Sequence, residues 1–302
     1  MRVHALASDP RFARHVAPVM AALPPEVRGA IVSDAADLPP GRVMVADAAR
    51  DLRAARARWP VVLMEHGVQT YAGATLSGPE PPGSVALYLA PGPHMARAAR
   101  ARLPGVPVVE VGCPALDTLR AALAESPATP SRVVVSFRFS GRIGPPEAWS
   151  AAAHYAPALA ELGRRLPVLG HGHPRGARWN ARLWTACGID YEPDFARALA
   201  RAAVYVADTS STLYEAAAMG VPVVALNAPW YRREVHHGLR WWDAIPGTAV
   251  DDPADLEAGI ARAVADGPAE RAARARAVAE AYHGAVDGRA AERAAAAIVA
   301  AL

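Results

Sequence analysis

No lysine occurs anywhere in the 302 residues, and all 32 basic side chains are arginine. That absence removes several chemistries together. A P-loop needs a lysine on its phosphates, and imine chemistry or a Ser–Lys dyad needs a lysine amine. Any phosphate here must be met by arginine, histidine, hydroxyls or backbone N–H groups. Cysteine is almost as scarce. Cys113 and Cys187 stand far apart and form neither a CxxC pair nor a zinc pattern, so a reduced, cytoplasmic protein is expected. The opening "MRVHALASDPRFARH" has no apolar core of a signal peptide. The uncharged run 216–231 is shorter than the ~20 residues a bilayer requires and is broken by Pro222 and Pro229. An integral membrane segment is therefore not expected, while peripheral contact with a membrane surface stays open. A basic block is missing too: the net charge of +3 is spread along the chain, so nucleic acid is not an expected partner.

What is present is apolar sequence in short runs. Hydrophobic residues make up 52% of the chain, enough for two sizeable cores. Strands are expected at 3–6, 30–32, 43–46, 61–64, 85–89 and 108–111, with helices between several of them, such as 48–58 and 94–103. Runs that do not alternate, separated by helices, indicate a parallel sheet covered on both faces. The proline-containing stretch 123–132 reads as a linker, after which the pattern restarts. Strands follow at 133–137, 168–169, 204–207 and 221–226, and helices at 149–166, 194–202, 212–219, 253–264, about 268–282 and 290–302. The expected class is α/β, with two doubly wound Rossmann-like domains, 1–124 and 132–302, and a ligand cleft between them. The last helix is free to pack back on the first domain.

One segment asks for a chemical explanation. In "VADTSSTLYEAAAMGVPVVALN" four hydroxyl residues, Thr209, Ser210, Ser211 and Thr212, stand between a strand and a helix. Helix N-termini attract anions, and hydroxyls add donors without a competing charge, so a diphosphate fits. The plainer alternative is helix capping by Thr212, with Glu215 closing a capping box.

With Glu215 five residues before Gly220 and seven before Pro222, this segment resembles the C-terminal domain of GT-B nucleotide-dependent transferases. More narrowly, Asp208–Ser211, Glu215 and Gly220–Pro222 resemble the D-Y-S-S…D/E…G-x-P pattern of the CDP-glycerol glycerophosphotransferases, the teichoic acid polymerase family. Four more segments follow that family's order. They are "MEHGVQTY" with His66 and Gly67, "VGCPALD" with Gly112, Pro114 and Asp117, "GHGHPR" with His173 and Pro174, and 236–256 with Gly238, Pro246, Gly247 and Leu256. The chain departs from the pattern where Tyr71 replaces a lysine and Thr209 a tyrosine.

The resemblance implies a GT-B fold and transfer of a glycerophosphoryl or glycosyl group from a nucleotide-linked donor to a hydroxyl-bearing acceptor, in cell wall polymer biosynthesis. The donor is a substrate, and neither a cofactor nor a metal is implied. His66 would take the acceptor's proton, the lesser alternative being a histidine that only hydrogen-bonds its loop. His173 would face the donor phosphates; His171 and His173 also read as an H-x-H metal pair, which lacks a third ligand at suitable spacing. Asp208, Thr209, Ser210, Ser211 and Thr212 would hold the phosphates and Glu215 the ribose diol. Arg138 and Arg142 could add guanidinium forks. Trp230, Tyr231, Trp241 and Trp242 fit either a sugar or base pocket or interdomain packing. Two other functions compete: a non-hydrolysing UDP-sugar 2-epimerase, although "EHGVQ" lacks the expected E-A-G-type acidic motif, and a nucleotide-binding module without turnover, which Tyr71 favours.

Overall fold

The computed structural model describes residues 1–46, 49–56, 59–65, 68, 85–139, 146–233, 244–284 and 286–302. The chain divides into two compact units, Met1–Ala121 with Ala279–Leu302, and Ala122–Val278.

In the first unit, strands β1 (Val3–Leu6), β2 (Arg28–Val32), β3 (Arg42–Ala46), β4 (Val61–Met64), β5 (Val85–Ala90) and β6 (Val108–Glu110) form one sheet in the order β2-β1-β3-β4-β5-β6. Every pairing is parallel. All four residues of β4 are buried, as a strand covered on both faces requires. Helices α1 (Pro10–Ala22), α2 (Ala49–Arg56), α3 (Pro93–Arg102) and α4 (Pro114–Ala124) alternate with these strands. On α1, Val16, Val19 and Met20 share the helical face that enters a cluster of buried apolar side chains. The Arg28 guanidinium closes the end of α1 by donating to the carbonyls of Ala21 and Leu23.

The second unit carries strands β7 (Arg132–Phe137), β8 (Val168–Gly172), β9 (Asp190–Tyr191), β10 (Ala202–Ala207), β11 (Val223–Leu226) and β12 (Thr248–Val250). They too are parallel, in the order β12-β11-β10-β7-β8-β9. Numbered within the unit this is 3-2-1-4-5-6, the Rossmann order, whose direction reverses between β7 and β10. Its helices are α5 (Ala152–Arg165), α6 (Ala177–Ala186), α7 (Phe195–Ala200), α8 (Thr212–Ala218), α9 (Leu256–Ala265) and α10 (Pro268–Ala281), the last running into the first unit.

The second unit ends at Val278, and the last helix packs back on the first domain, as the sequence left open. The closing helix α11 (Ala290–Ala300) lies in the first unit, where Ala294, Ala295 and Ile298 join the cluster that α1 enters. Two residues of the "VGCPALD" turn hold it there. Asp117 accepts a hydrogen bond from the Ala291 N–H at 2.9 Å. Gly112 adopts φ +90, and a Cβ there would come within 3.0 Å of Ala290. No described helix is long and apolar enough to cross a membrane.

β8 shows how sequence sets packing around the later site. In "VLGHG" alternate residues face opposite sides, so Gly170 and Gly172 share one face and His171 takes the other. The glycine face lets α6 approach, and the fully buried Trp184 stacks against Phe137 with 5.8 Å between ring centroids. A Cβ at Gly170 would lie 2.3 Å from the Trp184 ring. Gly170→Ala is accordingly expected to lower the unfolding free energy by about 1–3 kcal/mol, the usual cost of overpacking a filled core. Urea denaturation measures it, and an unchanged midpoint would refute this packing account.

Candidate functional site

The crevice outside the strand ends, at the point where strand order reverses, is where open α/β sheets bind ligands. In the second unit three loops meet there. His173, just after β8, donates its backbone N–H to the Phe137 carbonyl at 3.1 Å. Arg138, just after β7, donates its backbone N–H to Asp208 Oδ1 at 3.0 Å. Asp208, just after β10, also accepts from the Ala151 N–H through Oδ2 at 3.0 Å. With 0% exposure and both carboxylate oxygens engaged by backbone, Asp208 serves as a brace across the reversal point. It presents no exposed oxygen to a ligand, unlike the phosphate-contacting role the sequence suggested.

The hydroxyl cluster follows this brace. The alternative of a capping box is not realised: Ser211 is the N-cap residue of α8, makes no side-chain cap bond, and donates to Glu215 Oε1 at 3.2 Å. Thr212 instead shares hydrogen bonds with Ser210 Oγ and the Tyr205 hydroxyl, both at 2.8 Å. The first N–H groups of α8 are also engaged locally. Thr212 N donates to Ser210 Oγ, Leu213 N to the Ser210 carbonyl, and Tyr214 N and Glu215 N to the Ser211 carbonyl. Donors to an anion here must therefore come mainly from side chains. Thr209 Oγ1 is buried, its residue 3% exposed, and has no hydrogen-bond partner among the described residues.

Beside the hydroxyls is a concentration of positive charge. Arg138 and Arg175 place their guanidinium carbons 5.1 and 5.3 Å from the centroid of the Phe139 ring, and the His173 ring meets the same phenyl edge-on at 5.2 Å. Arg138 is half-buried. Burial lowers its pKa, the Asp208 charge opposes that shift, and the Arg175 charge adds to it. Among the described residues neither guanidinium pairs with a carboxylate. His173 Nδ1 accepts from the Arg175 N–H at 3.1 Å, so in the neutral ring the proton sits on Nε2, a donor.

Of the other predicted residues, His171 is buried on the opposite face of β8, 3.0 Å from Ser136 Oγ. It belongs to the core rather than to a metal pair with His173. No group of three or more His, Cys, Asp or Glu among the described residues is placed to hold a metal ion. Trp230 packs against the second unit's core, and Tyr231 donates to the Trp149 carbonyl at 2.6 Å. Glu65, at the end of β4, is 3% exposed and accepts from the Tyr88 hydroxyl at 2.5 Å. His66, Gly67, Tyr71, Arg142, Gly238, Trp241 and Trp242 lie outside the described residues. Sequence reading missed Phe139, Arg175 and Tyr205. The first two carried a signal, as neighbours of Arg138 in "SFRFSGR" and of His173 in "HPR".

Comparison with known protein families and with curated proteins gives no match. Solved structures do match, at low identity. The wall teichoic acid polymerase TagF, in a variant soaked with CDPG, is similar over 99% of this chain and 88% of its own, at 11% identity and a TM-score of 0.66. UDP-GlcNAc 2-epimerase from Neisseria meningitidis, bound to UDP-GlcNAc, is similar over 99% and 100%, at 14% identity and 0.64. A Listeria monocytogenes protein described as a UDP-N-acetylglucosamine 2-epimerase matches over 98% and 95%, at 18% identity and 0.62.

One pH prediction arises from His171, whose pKa burial lowers to about 4, with the Asp194 charge and a hydrogen bond to the Pro193 backbone opposing. An unfolded histidine titrates near ~6.5. Between those values the unfolded chain takes up a proton and the folded chain does not. This stability, about 3 kcal/mol, is thus complete above pH ~6.5 and lost as pH falls toward 4. Proton NMR should show the His171 ring staying neutral from pH 8 to 5.5; an ordinary titration near 6.5 would contradict its buried placement. With two parallel Rossmann-like sheets and these neighbours, the chain has the two-domain fold of the GT-B class.

Proposed function

We propose that the second unit binds the nucleoside diphosphate part of an activated donor at the reversal point. The chain then acts as a GT-B-type transferase, moving a glycerophosphoryl or glycosyl group from a CDP- or UDP-linked donor to an acceptor hydroxyl. The carrying observation is the half-buried Arg138 guanidinium beside Arg175, with no paired carboxylate among the described residues. Leaving such a charge out of water without a partner is unfavourable, and a diphosphate would supply the partner.

In this reading Arg138, Arg175, His173 Nε2–H and the hydroxyls of Thr209 and Ser210 stabilise charge gathering on the departing nucleotide phosphate. The acceptor oxygen forms its new bond as the bond from the transferred group to the nucleotide phosphate breaks. The electron pair leaves on that phosphate, and His66 takes the acceptor proton. Glu215 receives the ribose diol, Ser211 helping to orient its carboxylate. The donor is a substrate, so no resident cofactor or metal enters, and a cytoplasmic location suits nucleotide-linked donors. Fold likeness to UDP-GlcNAc 2-epimerases is as close as to the polymerase, which makes epimerisation the second reading.

Two measurements separate these. Arg138→Met should weaken CDP or UDP binding at least tenfold, since charge-assisted bonds contribute about 1.5–3 kcal/mol. Unchanged affinity would remove Arg138 from the site. Product analysis then assigns the reaction: a transferase releases nucleotide only with an acceptor, whereas an epimerase converts UDP-GlcNAc to its 2-epimer with none. His66→Ala should keep donor affinity and lower turnover about 10²–10⁴-fold; turnover equal to the parent would dismiss it as the base.

A further inference from the structure

Beneath the hydroxyl cluster lies a buried chain of polar groups. Tyr205 on β10 is 0% exposed. Its hydroxyl lies beside Ser136 and donates to Thr212 Oγ1 at 2.8 Å. Ser136 in turn contacts His171 Nδ1 at 3.0 Å. Phe195 closes the far side, its ring 5.8 Å from Tyr205 and 5.5 Å from His171. Burial raises the Tyr205 pKa well above the usual phenol range, so the group stays protonated and remains a donor.

That fixed donor sets the direction of the bonds above it. Thr212 Oγ1 accepts the Tyr205 proton and sits 2.8 Å from Ser210 Oγ. Among the described residues Ser210 Oγ is the only further partner of the Thr212 hydroxyl, so Thr212 satisfies its own proton by donating there. Ser210 Oγ also accepts from the Thr212 N–H at 3.3 Å. With both inward contacts occupied as an acceptor, Ser210 must point its hydroxyl proton outward. Hydroxyl rotors are otherwise free to turn either way.

We propose that Tyr205 is a positioning residue, which through Thr212 orients the Ser210 hydroxyl as a donor toward a phosphate oxygen of the bound ligand. The inference rests on reading the cluster as a diphosphate site, and it names the group that makes Ser210 a donor. Without the Tyr205 hydroxyl, Ser210 could turn inward and donate to Thr212, and its lone pairs would then face the anion.

A double-mutant cycle tests this on the full-length chain, with CDP and inorganic pyrophosphate as probes and calorimetry as readout. Tyr205→Phe should weaken both about three- to tenfold, within the range of one charge-assisted hydrogen bond. Thr212→Val, which keeps the shape but removes the intermediate hydroxyl, should give a similar loss. In a Ser210→Ala background neither change should weaken binding further, since all act through the same donor. A purely structural Tyr205 would add its own loss in that background, and multiplying effects would overturn the proposal. So would Ser210→Ala weakening binding while Tyr205→Phe and Thr212→Val bind like the parent. If the parent itself binds neither probe, the diphosphate reading fails first and the proposal with it.

Discussion

A single carboxylate holds the loops of the second unit in place where its sheet changes direction. Asp208 follows β10, yet its two oxygens take backbone N–H groups from the segments after β7 and before α5. Bonds to a charged acceptor contribute about 1.5–3 kcal/mol each, and leaving either N–H buried without a partner would cost a comparable amount. The brace therefore fixes the backbone of Arg138 next to the start of the hydroxyl segment. Because His173 is tied to the Phe137 carbonyl, the third loop is referred to the same strand end. Side chains with little in common in sequence are delivered to one crevice by three short backbone contacts.

What those contacts collect is electrostatically one-sided. Asp208 supplies the nearby negative charge, but its oxygens are spent on backbone, so it tempers the Arg138 charge without pairing with it. Arg138 and Arg175 flank one phenyl ring, which offers each a favourable face, and among the described residues neither pairs with a carboxylate. An apo fold optimised only for stability would not gather two guanidiniums this way. Functional sites commonly retain such imbalance because the ligand completes it. The absence of lysine sharpens the point, since planar guanidinium forks are the cationic groups left to meet phosphate oxygens in pairs.

The α/β class could be read from the sequence because its central strands are continuous apolar runs; 3–6 and 61–64 stand where expected. Strands β9 and β12 went unseen, as two or three residues carry no periodicity. Helix α6 was missed because its buried residues are Asn180 and Trp184 within an arginine-rich stretch. Placement of α11 depended on Asp117 reaching Ala291, a contact between positions far apart in sequence. At the site, residue type pointed to the hydroxyls and histidines, but burial is a tertiary property. Asp208 therefore read as a ligand contact and proved a brace, and Tyr205 read merely as strand. The same limit applies to Thr212 and Glu215, whose spacing suits a capping box although Tyr205 and Ser210 engage the threonine instead.

The central claim is that the positive crevice at the reversal point recognises phosphate charge rather than a base or sugar alone. Calorimetric titration of the full-length chain with cytidine, CMP and CDP, and with the uridine series in parallel, tests it directly. The account predicts affinity that rises with each phosphate and falls as salt concentration increases. Binding of the free nucleoside as tight as that of its diphosphate, unaffected by salt, would contradict it.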